Sequence, residues 1–122
     1  MNNEHTGQPP NSRDAEISVL GALMLAPETL NDLQLATEDF FYTDNRLIFD
    51  AIKTRAEKSL PFDVVTLGED FRGNEQVSLD HLIELASTVP SAANIEGYAQ
   101  IVRDKSIRRQ LIEAASQLDA KA

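Results

Sequence analysis

The sequence lacks cysteine altogether, and it has neither a long hydrophobic run nor an excess of basic residues. Without cysteine, disulfide scaffolds, cysteine-ligated zinc sites and thiol catalysis are excluded. The longest strongly apolar run, residues 19–26, is far shorter than the ~20 residues that span a bilayer. No basic segment precedes an apolar one as in a secretory signal, and there is no Asn-x-Ser/Thr acceptor for glycosylation. We therefore expect a cytoplasmic protein.

Positive charge is scarce. The 122 residues include 11 Lys and Arg against 20 Asp and Glu, which gives a formal net charge of −9. Proteins that bind nucleic acid through its phosphates present a basic face, and this chain could carry only a small one. We expect no direct contact with nucleic acid and none with a membrane, and the charge favours either solubility or a basic protein partner. The hydrophobic fraction of 42% is typical of a single folded domain.

The spacing of apolar residues predicts helices throughout. Residues 1–12 are almost devoid of apolar side chains and contain Gly7, Pro9 and Pro10, which predicts a flexible arm. Beyond the arm, apolar residues recur every three or four positions, and no segment alternates as a strand would. We predict an all-α fold, a compact bundle of about six helices of which the last is long. The predicted helices cover about 13–25, 27–36, 45–58, 64–71, 79–88 and 92–122, with N-caps at Ser12 or Asn11, Thr43 or Asp44, Asp63, Ser78 and Ser91.

Two local features indicate how these helices pack. Gly21 lies in the middle of the first helix, which indicates a close crossing with another helix. The three consecutive aromatic residues at 40–42 predict a turn whose rings fill the core. The residues that we expect to be buried are Leu20, Leu23, Phe40, Phe49 and Leu67.

The second half of the last helix carries apolar residues that the rest of the chain cannot cover. They recur at helical spacing and are Ile107, Leu111, Ala114, Ala115 and Leu118, a set that we call the distal stripe. Either a helix of another chain covers this stripe, or the sequence belongs to a longer protein. We predict that the distal stripe is an interface.

No arrangement of residues points to catalysis. Gly68 and Gly73 have the spacing of a phosphate-binding loop, but Asn74 and Glu75 follow in place of Lys and Ser/Thr. The two histidines, His5 and His81, are far apart and lack metal-ligand spacing; we expect His81 to be a surface or half-buried helix residue. The adjacent Arg108 and Arg109 are interpreted as a solvated face, with Arg108 supported by Asp104. We predict no catalytic, cofactor-binding or metal-binding residues and no enzyme.

Several segments together resemble a known family. They are DAEISVLGALML at 14–25, DFFY at 39–42, RLIFDAI at 46–52, PFDVVTL at 61–67, LIEL at 82–85, VPSAANIEGYAQIVR at 89–103 and RRQLI at 108–112. In this order and spacing they are similar to the N-terminal domain of DnaB-type replicative DNA helicases, bacterial, phage or plasmid, over residues 14 to about 118. One departure is the turn at 74–78, which is shorter than the family's usual turn and lacks its paired glycines.

The resemblance implies a function that the residues alone do not. In that family a helical globule, here residues 13–106, leads into a helical hairpin, of which residues 107–122 would be the truncated first arm. Hairpins pair between subunits, and the domains form a collar on a hexameric ring where primase docks and a helicase loader can act. ATP and Mg²⁺ belong to a separate RecA-like domain. The implied function is thus non-catalytic assembly and interaction in DNA replication; the alternative is a stand-alone phage or plasmid protein that binds and regulates a host helicase or primase.

Overall fold

The computed structural model describes residues 7–89 and 91–121, and these residues form helices and connecting segments without a strand. The five α-helices are α1 (Arg13–Leu25), α2 (Thr43–Glu57), α3 (Val64–Asp70), α4 (Leu79–Thr88) and α5 (Ile95–Lys121). Two short 3₁₀ helices, Pro27–Asp32 and Thr37–Asp39, connect α1 to α2. The predicted all-α class is confirmed.

Helix α1 is the centre of the fold. It begins where predicted, because the Ser12 hydroxyl accepts a hydrogen bond from the backbone N–H of Ala15 and satisfies one free donor of the first turn. Helices α4 and α5 pack along α1, and α2 contacts it as well. The five residues expected in the core are all buried, namely Leu20, Leu23, Phe40, Phe49 and Leu67.

The close crossing predicted at Gly21 brings α1 against α4. A Cβ atom at Gly21 would lie 2.3 Å from the backbone carbonyl oxygen of Leu85. Only glycine leaves room for the two backbones at this distance. This glycine therefore sets the spacing between α1 and α4.

The predicted second helix at 27–36 is wrong in type and length. The chain forms only the 3₁₀ helix Pro27–Asp32 and is extended at Leu33. Leu33 and Leu35, both partly buried, are two residues apart in the sequence. Side chains two apart lie on the same side of an extended chain but not of a helix, so burying both leucines favours the extended form.

The aromatic segment and the start of α2 also differ from prediction. Only Phe40 is fully buried, with its ring centroid 4.8 Å from that of Phe49, whereas Phe41 and Tyr42 are half-buried. Helix α2 begins at Thr43 rather than about Asn45, and its N-cap residue, Tyr42, supplies no side-chain hydrogen bond. The caps predicted for α3 and α4 are confirmed, because Asp63 and Ser78 accept from Thr66 N and His81 N.

Helix α5 starts later than predicted and is 27 residues long, or about 40 Å at 1.5 Å per residue. Ser91 accepts from the backbone N–H of Ala93, but the helix begins only at Ile95. The chain therefore makes a turn between this hydrogen bond and the helix. The sequence also predicts that Val89–Pro90 ends the helix at 79–88. Val89 is extended and follows α4 directly, whereas Pro90 lies outside the described residues.

The predicted arm divides into two parts. Residues 1–6 lie outside the described residues. Asn11 is buried, and its side-chain oxygen accepts a hydrogen bond from the hydroxyl of Tyr42. The packed part of the chain therefore begins before residue 13.

Candidate protein-interaction surface

The distal stripe lies on an exposed face of α5. Ile107, Leu111 and Leu118 are 45%, 65% and 70% exposed, and a contiguous group of exposed apolar side chains is more informative than a single one. Ala114 and Ala115 are exposed as well. The helix places all five predicted residues within an arc of about 100°, since residues 3, 4, 7 and 8 apart share a helix face. The predicted residues therefore form one continuous surface.

This surface points away from the globule of its own chain. The first half of α5 contacts the globule through Ile95, Ala99 and Val102, all buried. At 100° per residue, the distal stripe is turned by about 145° from these three residues. No described part of the chain covers the stripe.

A polar cluster at the middle of α5 holds the helix against the globule; we call it the exit clamp and define it as Ser106, Arg109, Asp39 and Pro10. The hydroxyl of Ser106 donates to the carboxylate of Asp39 over 2.8 Å. The guanidinium of Arg109 donates to the backbone oxygens of Asp39 and Pro10, each over 2.7 Å. It also lies 5.4 Å from the ring centroid of Phe41. The exit clamp thus fixes the direction in which the second half of α5 leaves the globule.

Arg109 corrects the sequence interpretation of the two arginines. Arg108 is exposed, but Arg109 is half-buried, and burial lowers the pKa of its guanidinium, opposed by the nearby carboxylates of Glu16 and Asp39. The partners of Arg109 lie 70 and 99 residues away in the sequence, so helical spacing could not reveal them. The predicted support of Arg108 by Asp104 does not form among the described residues; Asp104 accepts instead from Gln100.

A buried carboxylate binds the backbone that leads into α2. Glu16 on α1 is 2% exposed and accepts hydrogen bonds from the backbone N–H groups of Phe41, over 2.6 Å, and Tyr42, over 3.4 Å, and from the Asn45 amide. Burial raises the pKa of Glu16, and these hydrogen bonds oppose the increase. The carboxylate therefore ties the backbone that leads into α2, at Phe41 and the N-cap residue Tyr42, to the distant helix α1.

His81 extends this polar cluster to α4. Its Nε2 atom lies 2.9 Å from the side-chain oxygen of Asn45, and its Nδ1 atom lies 3.1 Å from Glu84. The residue is half-buried, as predicted. Among residues 7–89 and 91–121, no group of three or more His, Asp and Glu is arranged to hold a metal ion. The contacts of His81 are those of a residue that joins helices.

The glycines that resemble a phosphate-binding loop have structural positions. Gly68 lies inside α3, where the hydrogen bonds of a helix occupy the backbone. Gly73 follows α3 with a positive φ of 76°, a conformation that favours glycine in the turn after a helix. The spacing between Gly68 and Gly73 therefore reflects one glycine within α3 and one in the turn that follows it.

An apolar groove lies beside the second half of α5. It has a volume of about 780 Å³, and its walls are residues 7–10 and the face of α5 that carries Arg109, Ile112 and Ala114. Ile112 is 57% exposed.

Within the described ranges, no helix has both the length and the hydrophobicity required to cross a membrane.

Comparison with known proteins identifies related sequences. The family model described as "DnaB-like helicase N terminal domain" matches residues 8–104. The replicative DNA helicase DnaB of Geobacillus stearothermophilus is 40% identical over 116 residues, which cover 90% of this chain and 26% of the relative. The replicative DNA helicase DnaC of Bacillus subtilis is 36% identical over 114 residues, covering 88% of this chain and 25% of the relative.

A solved structure is similar over nearly the whole chain. The crystal structure of the N-terminal domain of DnaB helicase from Mycobacterium tuberculosis superposes with a TM-score of 0.85 at 33% identity, and the match covers 93% of this chain and 85% of the other. The chain spans about a quarter of the length of the curated relatives it matches. The family model ends at residue 104, so the distal stripe lies outside its matched region.

Proposed function

Since the chain belongs to the family of DnaB-like helicase N-terminal domains, we propose that it is a non-catalytic assembly and interaction domain of a hexameric replicative DNA helicase. In this role it pairs with other subunits to build a collar. Residues 107–122 then form the first arm of a helical hairpin, and the residues that pair are those of the distal stripe.

The observation that carries this proposal is the exposure of the distal stripe on a helix that leaves the globule. Burial of apolar surface contributes roughly 25 cal/mol per Å², so covering this stripe against a second helix stabilises an assembly. The exit clamp supports the proposal further. Because it fixes the direction of α5, less conformational freedom is lost on association than with a free helix.

The collar that we propose docks primase and, in some helicases, a loader. The formal net charge of −9 supports partners with basic surfaces, since opposite charges steer association. ATP and Mg²⁺ would act in a separate RecA-like domain outside this sequence. A cytoplasmic setting is part of the same proposal.

The stripe is tested by measuring self-association. Sedimentation of the wild-type chain over a range of concentrations should show a weak dimer, with a dissociation constant of micromolar order or larger, because one helix arm buries little surface. Leu111→Asp places a charge in the stripe and should abolish the dimer. Since Leu111 is exposed, the helical circular dichroism should stay unchanged.

A matched control is Ile101→Asp. Ile101 lies on the same helix and is 43% exposed, but it precedes the stripe. This variant should associate like the wild type. A wild-type chain that is strictly monomeric at ~1 mM, far above the expected dissociation constant, or equal loss of association in both variants, would show that the stripe is not the pairing surface.

A further inference from the structure

A second apolar feature lies between α3 and α4, on a part of the globule separate from the distal stripe. It is a groove of about 540 Å³, which we call the α3–α4 groove. Its floor includes the buried side chains of Val77 and Leu82. Val65 and Leu79 line it and are 74% and 57% exposed. The most exposed large apolar side chain of each helix therefore borders one groove.

Gly68 keeps this groove open. A Cβ atom at this position would lie 3.6 Å from the Cδ1 atom of Leu79, with no other heavy atom within 4 Å. The glycine thus leaves a space beside Leu79 that a larger side chain on α3 would fill. The space is lined by apolar atoms from both helices.

The segment that forms the α3–α4 groove is acidic, and one of its carboxylates, Glu69, lines the groove. Residues 63–84 contain six carboxylates and one arginine, a formal charge of −5, which is more than half of the net charge of the whole chain. The carboxylates are Asp63, Glu69, Asp70, Glu75, Asp80 and Glu84.

Part of this negative charge is already paired within the protein. Glu69 pairs with Arg72, and Asp70 pairs with Arg55 of α2. Glu75 and Asp80 are exposed, and within the described part of the chain neither has a cationic partner. In the sequence, Glu75 directly follows Asn74 and Asp80 directly follows Leu79, and both Asn74 and Leu79 line the groove. An apolar groove and two exposed carboxylates next to its lining residues in the sequence therefore occur in the same part of the globule.

We propose that the α3–α4 groove binds a cationic amphipathic helix of another protein. The apolar face of that helix fills the groove over Leu82, and its Lys or Arg side chains pair with Glu75 and Asp80. This inference rests on the proposed function in that it assigns a docking surface to an interaction domain, but it uses different residues from the distal stripe.

The charge argues against a second copy of this chain as the occupant. A second copy brings a net charge of −9, and two surfaces of like charge repel each other. A helix that carries several positive charges gains from the same field. The complementary partner is therefore cationic.

The probe for the test is a Leu/Lys peptide of about 18 residues, which is long enough for five helical turns. A peptide of the same composition, with its order changed so that no apolar face forms, is the control. Binding is measured by calorimetry to the full chain. We expect the amphipathic peptide to bind, and we expect the control peptide to bind at least about tenfold more weakly, since it matches the charge but not the groove.

Two variants of the chain locate the binding site. The double variant Val65→Ser/Leu79→Ser should weaken binding about tenfold or more, because it removes apolar contact. Its control is Ile101→Ser, which replaces an exposed isoleucine of α5 and should change binding less than about twofold. Glu75→Gln with Asp80→Asn should weaken binding and reduce its dependence on salt. Its matched control is Glu57→Gln with Glu96→Gln, since Asp80 and Glu96 both lie in the first turn of a helix.

Several results would overturn the inference. They are equal binding of the two peptides, unchanged binding by both groove variants, or reduced self-association of the groove variants in sedimentation, which would make the groove a contact between copies. Leu111→Asp separates this inference from the proposed function. It should leave peptide binding intact whether or not it changes self-association, so each proposal can fail independently.

Discussion

The first and second halves of α5 belong to one continuous helix, yet they make different contacts. From Ile95 to Ser106, buried residues recur along the face that packs on α1, and the buried apolar side chains of this face belong to the core of the globule. From residue 107 onward every described side chain is exposed apart from Arg109. The difference shows that helical continuity and apolar content do not decide burial; the direction of the apolar face relative to the globule does.

The largest effect that we expect distinguishes a core leucine from a leucine of the stripe. Leu23→Ala removes a fully buried side chain and should lower the free energy of unfolding by roughly 2–5 kcal/mol. Leu111→Ala should change it by less than about 0.5 kcal/mol, because the side chain is exposed. Chemical denaturation of both variants measures the difference. Comparable losses would place the stripe in the core.

A smaller effect should distinguish two helical glycines. Gly21→Ala forces a Cβ atom against the backbone of α4 and should cost about 1–3 kcal/mol of stability. Gly68→Ala meets only ordinary contact and should stabilise α3 by up to about 1 kcal/mol through helix propensity. Thermal melts should therefore shift in opposite directions, and a shift in the same direction would contradict the described crossing of α1 and α4.

The junction between the two halves of α5 can be tested at adjacent arginines. Arg109→Ala leaves two backbone oxygens of the exit clamp without their donor and should cost about 1–3 kcal/mol. Arg108→Ala, on the exposed side, should cost less than about 0.5 kcal/mol. Hydrogen exchange of residues 110–121 should increase only in Arg109→Ala. Equal exchange in both variants would show that Arg109 does not hold the helix.

The smallest expected effect is a pH dependence of opposite sign at a buried and an exposed carboxylate. The hydrogen bond from Arg55 lowers the pKa of Asp70, so its stabilising contribution is present above the unfolded pKa and is lost as pH falls through the folded pKa. Burial raises the pKa of Glu16, so protonation favours the folded state, and that contribution is lost as pH rises through the folded pKa.

Denaturation between about pH 7 and pH 2 measures both effects, because the raised pKa of Glu16 lies in the upper part of this range and the lowered pKa of Asp70 in the lower part. The stability difference between wild type and Asp70→Asn should shrink as pH falls, since both then lack the charged pair. As pH falls over the same range, the wild type should gain stability relative to Glu16→Gln. Parallel curves for all three proteins would contradict both pKa directions.

Local sequence signals are sufficient to predict the features that depend on neighbouring residues. Ser12, Asp63 and Ser78 were predicted as caps because a cap bonds a backbone N–H about three residues away. The distal stripe was predicted from helical spacing alone, and its exposure is confirmed, although its role as an interface stays a prediction. Gly21 likewise indicates a close helix crossing, but the sequence does not identify α4 as the partner.

Features whose partners are far apart in the sequence became visible only in the fold. Glu16 lies 25 residues from Phe41, whose backbone N–H donates to its carboxylate, and Arg109 lies 99 residues from Pro10. The extended chain at Leu33 and the α3–α4 groove likewise depend on how separate elements pack. Hydrogen bonds and burial act over a few ångströms in space, and separation along the chain does not record which residues folding brings that close.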